Sequence, residues 1–271
     1  MSKRVRAFDF GGSGVKTAVY EVSRGDTKRI ASIEILEHPD YGDFSHWLRS
    51  HVDVREELVG VSCAGFVDLA TGVNHKWSVA GLTEYPLEGE VMKACPRSRS
   101  VRCLNDVEAH LLSSVGEFGA PILAIALGTS VGIAVADKGG KIVRTRPDRP
   151  LECGTVRLKT SAENDEVWWA LGSPGLEEMR RRKGDSDGAS RFGCRVGAFA
   201  AQYAALFQVR TVVLSGGIIE HNWEHMAEAV ESEFSAGIPH WMSNDQPKIV
   251  ASKWGREAGL VGAARYGGST V

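Results

Sequence analysis

The tightest constraint on this chain of 271 residues is a pattern that occurs twice. Residues 5–10 form a mostly apolar run carrying Asp9, then come Gly11, Gly12, Ser13 and Gly14, then Val-Lys-Thr-Ala-Val-Tyr, which again has strand composition. The order returns later: an apolar strand at 122–127, a turn of Gly128, Thr129, Ser130, Val131 and Gly132, a strand at 133–136, a Lys138-Gly139-Gly140 turn and a third strand at 141–145. Strand, glycine turn, strand, turn, strand in both halves predicts a duplicated α/β chain.

Dinucleotide fingerprints and P-loops also place glycines after a strand, but both need a helix to follow at once. Here a strand follows, and there is no Gly-Lys-Ser/Thr, so the turn joins two antiparallel strands. Glycine admits positive φ and removes the side chain, so several N–H groups can converge on one anion, phosphate being the obvious guest. A single such turn reads more readily as a bulged hairpin. Two in corresponding positions, the first opened by an Asp, predict two lobes that pinch a polyphosphate. Asp9 then serves as a hard oxygen ligand for magnesium held through water; the alternative is an edge-strand charge.

Further strands are predicted at 17–22, 30–36, 58–64, 101–105, 211–214 and 248–252, and helices at 44–51, 106–117, 166–182, 195–207, 223–234 and 257–266. Breaks near 103–106 and before the last helix predict a small lobe of 1–105 with 256–271, and a larger one of 106–255. GDSDG at 184–188 reads as an exposed loop.

A formal net charge of −2 gives no footprint for nucleic acid. No apolar run is long enough to span a bilayer, and the charged start broken by Asp9 is not read as a signal peptide. Cys63, Cys95, Cys103, Cys153 and Cys194 form no close pair, against both a disulfide framework and a zinc knuckle. The expectation is a reduced, cytoplasmic protein.

Moving a phosphoryl group to an alcohol requires a clamp on the phosphate, a metal to offset charge, and a carboxylate to orient the hydroxyl and take its proton. Asp106 is the candidate base: it follows an apolar strand and opens a helix, whose N-terminus is expected to keep it ionised. Asn105 beside it is expected to bond a second hydroxyl. Taken alone, an Asp there is an N-cap.

At this point the chain resembles the ROK family (repressors, open reading frames, kinases) of the actin-like ATPase superfamily of sugar kinases. DFGGSGVK resembles the first phosphate loop, LNDVEAHLLSSVGE the catalytic segment, ALGTSVGIAV the second phosphate loop, VVLSGGI the nucleotide-side loop and AGLVGAA the closing helix. The GGSG form is similar to polyphosphate glucokinases. The resemblance implies a two-lobed actin-like ATPase (ribonuclease H-like) fold with duplicated βββαβα units and an interlobe cleft. It implies a phosphate and nucleotide set of Asp9, Gly11, Gly12, Ser13, Gly14, Lys16, Gly128, Thr129, Ser130, Gly132, Gly216 and Gly217. Asp106 falls where the family places its base, and the acceptor set is Gly65, Lys76, Trp77, Asn105, Asp106, Glu152 and Thr155. Trp77 reads either as a stacking platform or as core, and Glu152 either as a sugar contact or as a surface acid.

Thr155 stands where the family's Glu-x-Gly-His element has histidine, and 156–170 holds no Cys, so no zinc is expected. The same change leaves the acceptor open among glucose, other hexoses, amino sugars and cyclitols. The donor is ATP or polyphosphate; the run Arg180-Arg181-Arg182-Lys183 reads as a grip on a long anion or as a solvated helix end. The leading function is a magnesium-dependent sugar kinase. The alternatives are a non-catalytic sugar-sensing regulator and another actin-like ATPase. With the first loop opening at Asp9, no N-terminal helix-turn-helix module is expected, which counts against a DNA-binding repressor. A homodimer is what the resemblance suggests.

Overall fold

The computed structural model describes residues 2–12, 14–24, 26–76, 83–156 and 166–269, and the chain divides into two compact units. Unit 1 comprises Met1–Glu117, Arg144–Pro150 and Glu257–Val271; unit 2 comprises Phe118–Val143 and Leu151–Arg256. In unit 1 the order is β1 (Lys3–Gly11), β2 (Gly14–Ser23), β3 (Asp26–Arg29), β4 (Glu34–Leu36), α1 (Phe44–His51), β5 (Leu58–Cys63), α2 (Leu87–Ala94), β6 (Ser100–Asn105) and α3 (Asp106–Phe118). Unit 2 follows with β7 (Ile122–Leu127), β8 (Val131–Ala136), α4 (Val167–Ala170), α5 (Ser173–Lys183), α6 (Asp185–Phe207), β9 (Thr211–Ser215), α7 (Gly217–Gly237) and β10 (Lys248–Ala251). Helix α8 (Ala258–Gly268) returns to unit 1.

The sheet of unit 1 runs β3-β2-β1-β5-β6, with β4 also on β2; β1, β5 and β6 are parallel. Its register sets Phe10 beside Cys63 and Cys63 beside Asn105, so the carboxyl ends of three parallel strands line up. That edge is where open α/β sheets bind ligands. One core is built from Phe8, Phe10, Phe44, Leu48, Leu87 and their neighbours. The small residues of α8 let its backbone lie on the sheet and on α3: a Cβ at Gly60 would strike Ala263 O, and one at Gly262 would strike Ala109 O. This contact places α3 in unit 1, so the first break follows Glu117 and not residues 103–106.

The sheet of unit 2 runs β10-β9-β7-β8, with β7, β9 and β10 parallel and β8 antiparallel to β7. Ala126 pairs with Ser215, which brings the carboxyl ends of β7 and β9 together. Among the described residues the expected strand at 141–145 is reduced to a bridge between Ala136 and Ile142, made by the bonds from Val143 N to Val135 O at 2.8 Å and from Asp137 N to Lys141 O at 2.9 Å. Asp137 Oδ1 accepts from the Gly139 and Lys141 amides and turns the chain, and beyond Val143 it leaves for unit 1. Of the strand expected at 30–36 only Glu34–Leu36 is strand (β4), while β3 lies before it at Asp26–Arg29.

The helix expected at 166–182 is broken between α4 and α5, where a Cβ at Gly172 would lie 2.6 Å from Thr129 O. The segment expected as an exposed loop, 184–188, is a correction: α6 begins at Asp185. Gly184 at φ 86 makes the whole turn between α5 and α6, and Asp185 and Asp187 sit favourably at the positive end of the new helix. Gly188 is buried against the α5 backbone, where a Cβ would lie 2.6 Å from Arg180 Cα.

Candidate functional site

In unit 1 the glycine turn closes the β1–β2 hairpin as expected, with Gly11 opposite Gly14. Gly14 has φ 146, and a Cβ there would lie 2.8 Å from Leu36 O, so no other residue fits without strain. At Gly12 a Cβ would meet nothing, which leaves that backbone open to a ligand. Ser13 lies outside the described residues. Asp9, one pleat before the turn, is 7% exposed. Ser62 Oγ donates to its Oδ1 at 2.8 Å, and Lys16, directly across the ladder, brings Nζ to 3.4 Å from Oδ2. The α8 backbone crosses beside it, for a Cβ at Gly259 would lie 2.8 Å from the carboxylate. Asp9 is therefore a fixed, buried charge on a central strand, not an edge-strand charge.

Asn105 caps α3. Its Oδ1 accepts from Val107 N at 2.9 Å and Glu108 N at 3.4 Å, while Glu108 Oε2 accepts from Asn105 N at 3.4 Å, a reciprocal capping box. Asn105 Nδ2 donates to Gly65 O and to Asp106 Oδ1, both at 2.8 Å. Both amide hydrogens are thus engaged within the site.

Asp106 Oδ1 also accepts from Val107 N at 2.9 Å. The expectation that the helix end keeps Asp106 ionised is corrected by its surroundings. Burial, and behind it the Asp9 carboxylate, push its pKa from 3.8 up to about 7, against the pull of these hydrogen bonds. A helix N-terminus offers at most about 2 kcal/mol to a carboxylate, too little to offset that desolvation. One turn further on, burial holds the His110 imidazole down at about 4, so it is neutral at pH 7; Asp9 pulls it upward and Lys16 opposes.

The loop expected to meet the acceptor starts at Gly65, whose neighbours are Lys76 O and the side chain of Asn74. Phe66 and Lys76 pair through Phe66 N to Lys76 O at 2.9 Å, and Lys76 Nζ stands 5.6 Å above the Phe66 ring. Asn74 is fully buried, and neither Oδ1 nor Nδ2 has a partner among the described residues. Trp77 lies outside the described residues. Gly65, Asn105 and Asp106 are therefore brought together, with Asp9 close enough to act on Asp106.

Unit 2 carries the other predicted residues. Gly128 donates to Ser130 O at 2.9 Å within the β7–β8 turn that also holds Thr129, and Gly132 lies in β8 opposite Ala126. Ser173, at the start of α5, ties to Gly128 O through its amide at 2.8 Å and its Oγ at 3.0 Å. Gly216 has φ 95 and packs on Leu127 O, so the two glycine segments touch; at Gly217, where α7 begins, and at Gly128 a Cβ would meet nothing. The exposed Glu152 accepts from Gly154 N through Oε1, closing a turn that leaves Thr155 exposed and Cys153 buried, its thiol pushed up to about 12 by burial. The basic run is divided: Arg181 and Arg182 pair with Glu178, and Arg180 bonds Asn222. Among the described residues no three His, Cys, Asp or Glu side chains gather as a metal site.

The sequence reading passed over Ser62, Glu108, His110, Arg144 and Gly259. The Asn-x-x-Glu spacing of a capping box was the available sign for Glu108, and the i, i+4 spacing to Asp106 for His110.

The profile of the ROK family matches residues 180–266. Solved structures extend the likeness over nearly the whole chain. A ROK family glucokinase from Streptomyces griseus, in complex with glucose and AMPPNP, is 19% identical with a TM-score of 0.73 over 97% of this chain and 99% of that one. This is a ROK fold. An inorganic polyphosphate/ATP-glucomannokinase from Arthrobacter sp. strain KM gives 19% identity and a TM-score of 0.67 over 97% and 98% of the two chains. A ROK family transcriptional regulator, a homologue of the E. coli MLC protein, gives 15% and 0.78 over 97% of this chain but 77% of its own. A search of curated proteins returns no match. The α/β fold expected from the resemblance is thus the fold observed, and ROK folds serve both sugar kinases and regulators.

Proposed function

We propose that this protein is a sugar kinase that transfers the terminal phosphoryl group of ATP to a hydroxyl of a hexose, amino sugar or cyclitol. The observation that carries the reading is Asp106: a carboxylate fixed through one oxygen at a helix start, with a pKa near 7, under the influence of the buried Asp9 carboxylate on a glycine hairpin. A group poised near the working pH is suited to take a hydroxyl proton as the oxygen attacks phosphorus. The phosphate side is assigned to the hairpin of Gly11, Gly12, Ser13 and Gly14 with Lys16, and to Gly128, Thr129, Ser130, Gly132, Gly216 and Gly217. The acceptor side is assigned to Gly65, Lys76, Trp77, Glu152 and Thr155, with Asn105 building the frame.

Asp9 fits a magnesium ion held through water, because its oxygens already accept from Ser62 and Lys16 and no cluster of direct ligands surrounds it among the described residues. When bound, that ion offsets charge on the phosphates. Polyphosphate as a second donor is supported by the GGSG loop and the likeness to the glucomannokinase. A cytoplasmic homodimer belongs to the same reading.

A second reading, a sugar-sensing regulator, is favoured by the likeness to the MLC homologue. The two are separated by incubating purified protein with magnesium, ATP or polyphosphate, and a panel of hexoses, amino sugars and cyclitols. Phosphorylated acceptor supports the kinase; binding of a sugar with no transfer from either donor supports the sensor.

A further inference from the structure

Arg144 opens the short return of the chain into unit 1. Its Nε and Nη2 grip Glu108 Oε1 and Oε2 at 2.6 Å each, and Nη1 donates to Val67 O at 2.7 Å and Pro147 O at 2.8 Å. The two side chains are only 6% and 2% exposed. Such a pair is seldom worth more than well-packed apolar residues, because removing two charges from water offsets their attraction. Its connections give it another use. Glu108 accepts from Asn105 N, Asn105 Nδ2 donates to Gly65 O, and two residues on Val67 O returns to Arg144. The bonds close a ring, and Asp106 Oδ1 hangs on it through Asn105.

We propose that Arg144 and Glu108 are positioning residues, whose bidentate pair closes a ring through Asn105, Gly65 and Val67 and so fixes the Asp106 carboxylate relative to the acceptor loop. This rests on the kinase reading of Asp106. It accounts for a glutamate at the third position of the α3 cap and for an arginine where the chain leaves the expected third strand of the second half. A lysine cannot replace the fork, since it offers a point charge without the paired planar donors.

The test uses full-length protein with Arg144→Lys, Glu108→Gln, and the double change Arg144→Met with Glu108→Leu, which fills the site with apolar side chains. Three quantities are read: kcat and both KM values, melting temperature, and hydrogen exchange of the Val107 and Glu108 amides. Arg144→Lys is expected to lower kcat by about 10- to 100-fold, as small misplacements of a reacting group do, to raise the acceptor KM, to leave the donor KM within about two-fold of its starting value, and to speed exchange at both amides. The double variant is expected to melt near the wild type while kcat stays low. Wild-type kcat in a well-folded double variant would overturn the proposal, as would unchanged amide exchange in Arg144→Lys. Should the double variant fail to fold, Glu108→Gln decides by the same readings, for it keeps an oxygen for Asn105 N and loses the charge. If the wild type transfers no phosphoryl group, the kinase reading has failed, and amide exchange still decides whether the ring holds the cap.

Discussion

Replacing Asp106 by Asn separates what this carboxylate costs the fold from what it does. The amide oxygen of the variant can accept from Val107 N and Asn105 Nδ2 as Oδ1 does, so the cap survives and the charge goes. In the wild type the carboxyl moves from 3.8 unfolded to about 7 folded. Between those values the folded chain holds a proton that the unfolded chain has released, so stability falls as pH rises through that window, and the full cost stands above pH 7. Each tenfold change in acidity is worth about 1.4 kcal/mol, so the two decades from pH 5 to 7 add at most about 2.7 kcal/mol. Asp106 is partly exposed, and screening reduces this to roughly 1.5 kcal/mol. Thermal melts at pH 5 and pH 8 should therefore show Asp106→Asn gaining about 3–5 °C on the wild type between the two conditions. Parallel assays should show transfer reduced about 10²- to 10⁴-fold. A difference in melting temperature that does not change with pH, or a variant less stable than the wild type at pH 8, would refute the assignment of a raised pKa to Asp106.

Three further outcomes are expected. For the free enzyme, kcat/KM should rise with pH along a limb centred at about 7, because the base must be ionised, and a flat profile from pH 5 to 8 would count against Asp106. Gly14→Ala should cost about 1–3 kcal/mol in urea unfolding, since φ is 146 and a Cβ lies 2.8 Å from Leu36 O; a neutral substitution would mean that the hairpin relaxes. Lys16→Met should raise the KM for ATP about ten-fold with little change for the acceptor, the loss expected when one charge on a phosphate is removed; an effect confined to the acceptor would move Lys16 to the other side of the site.

Much of this arrangement was legible in the residues. Glycine followed by strand composition separates a hairpin from a P-loop, and apolar runs fixed β7, β8 and the strands that end at Cys63 and Asn105. What escaped depends on distant partners. No local signal tells that residues after Val143 leave the sheet, because Glu108 and Val67, which hold Arg144, are far away in sequence. GDSDG has turn composition, and only packing of Gly188 on the Arg180 backbone makes it helical. The raised pKa of Asp106 is hidden for the same reason: the helix start is visible in sequence, whereas burial and the neighbouring Asp9 are not.

The most direct measurement is a single-turnover reaction, with protein in excess over γ-labelled ATP, in the presence of magnesium and the sugar panel. The label should pass to at least one sugar with the wild type, while Asp106→Asn still binds the nucleotide and leaves the label on ATP. A wild type that leaves the label on ATP with every sugar, or an Asp106→Asn variant that transfers it at the same rate, would contradict the account.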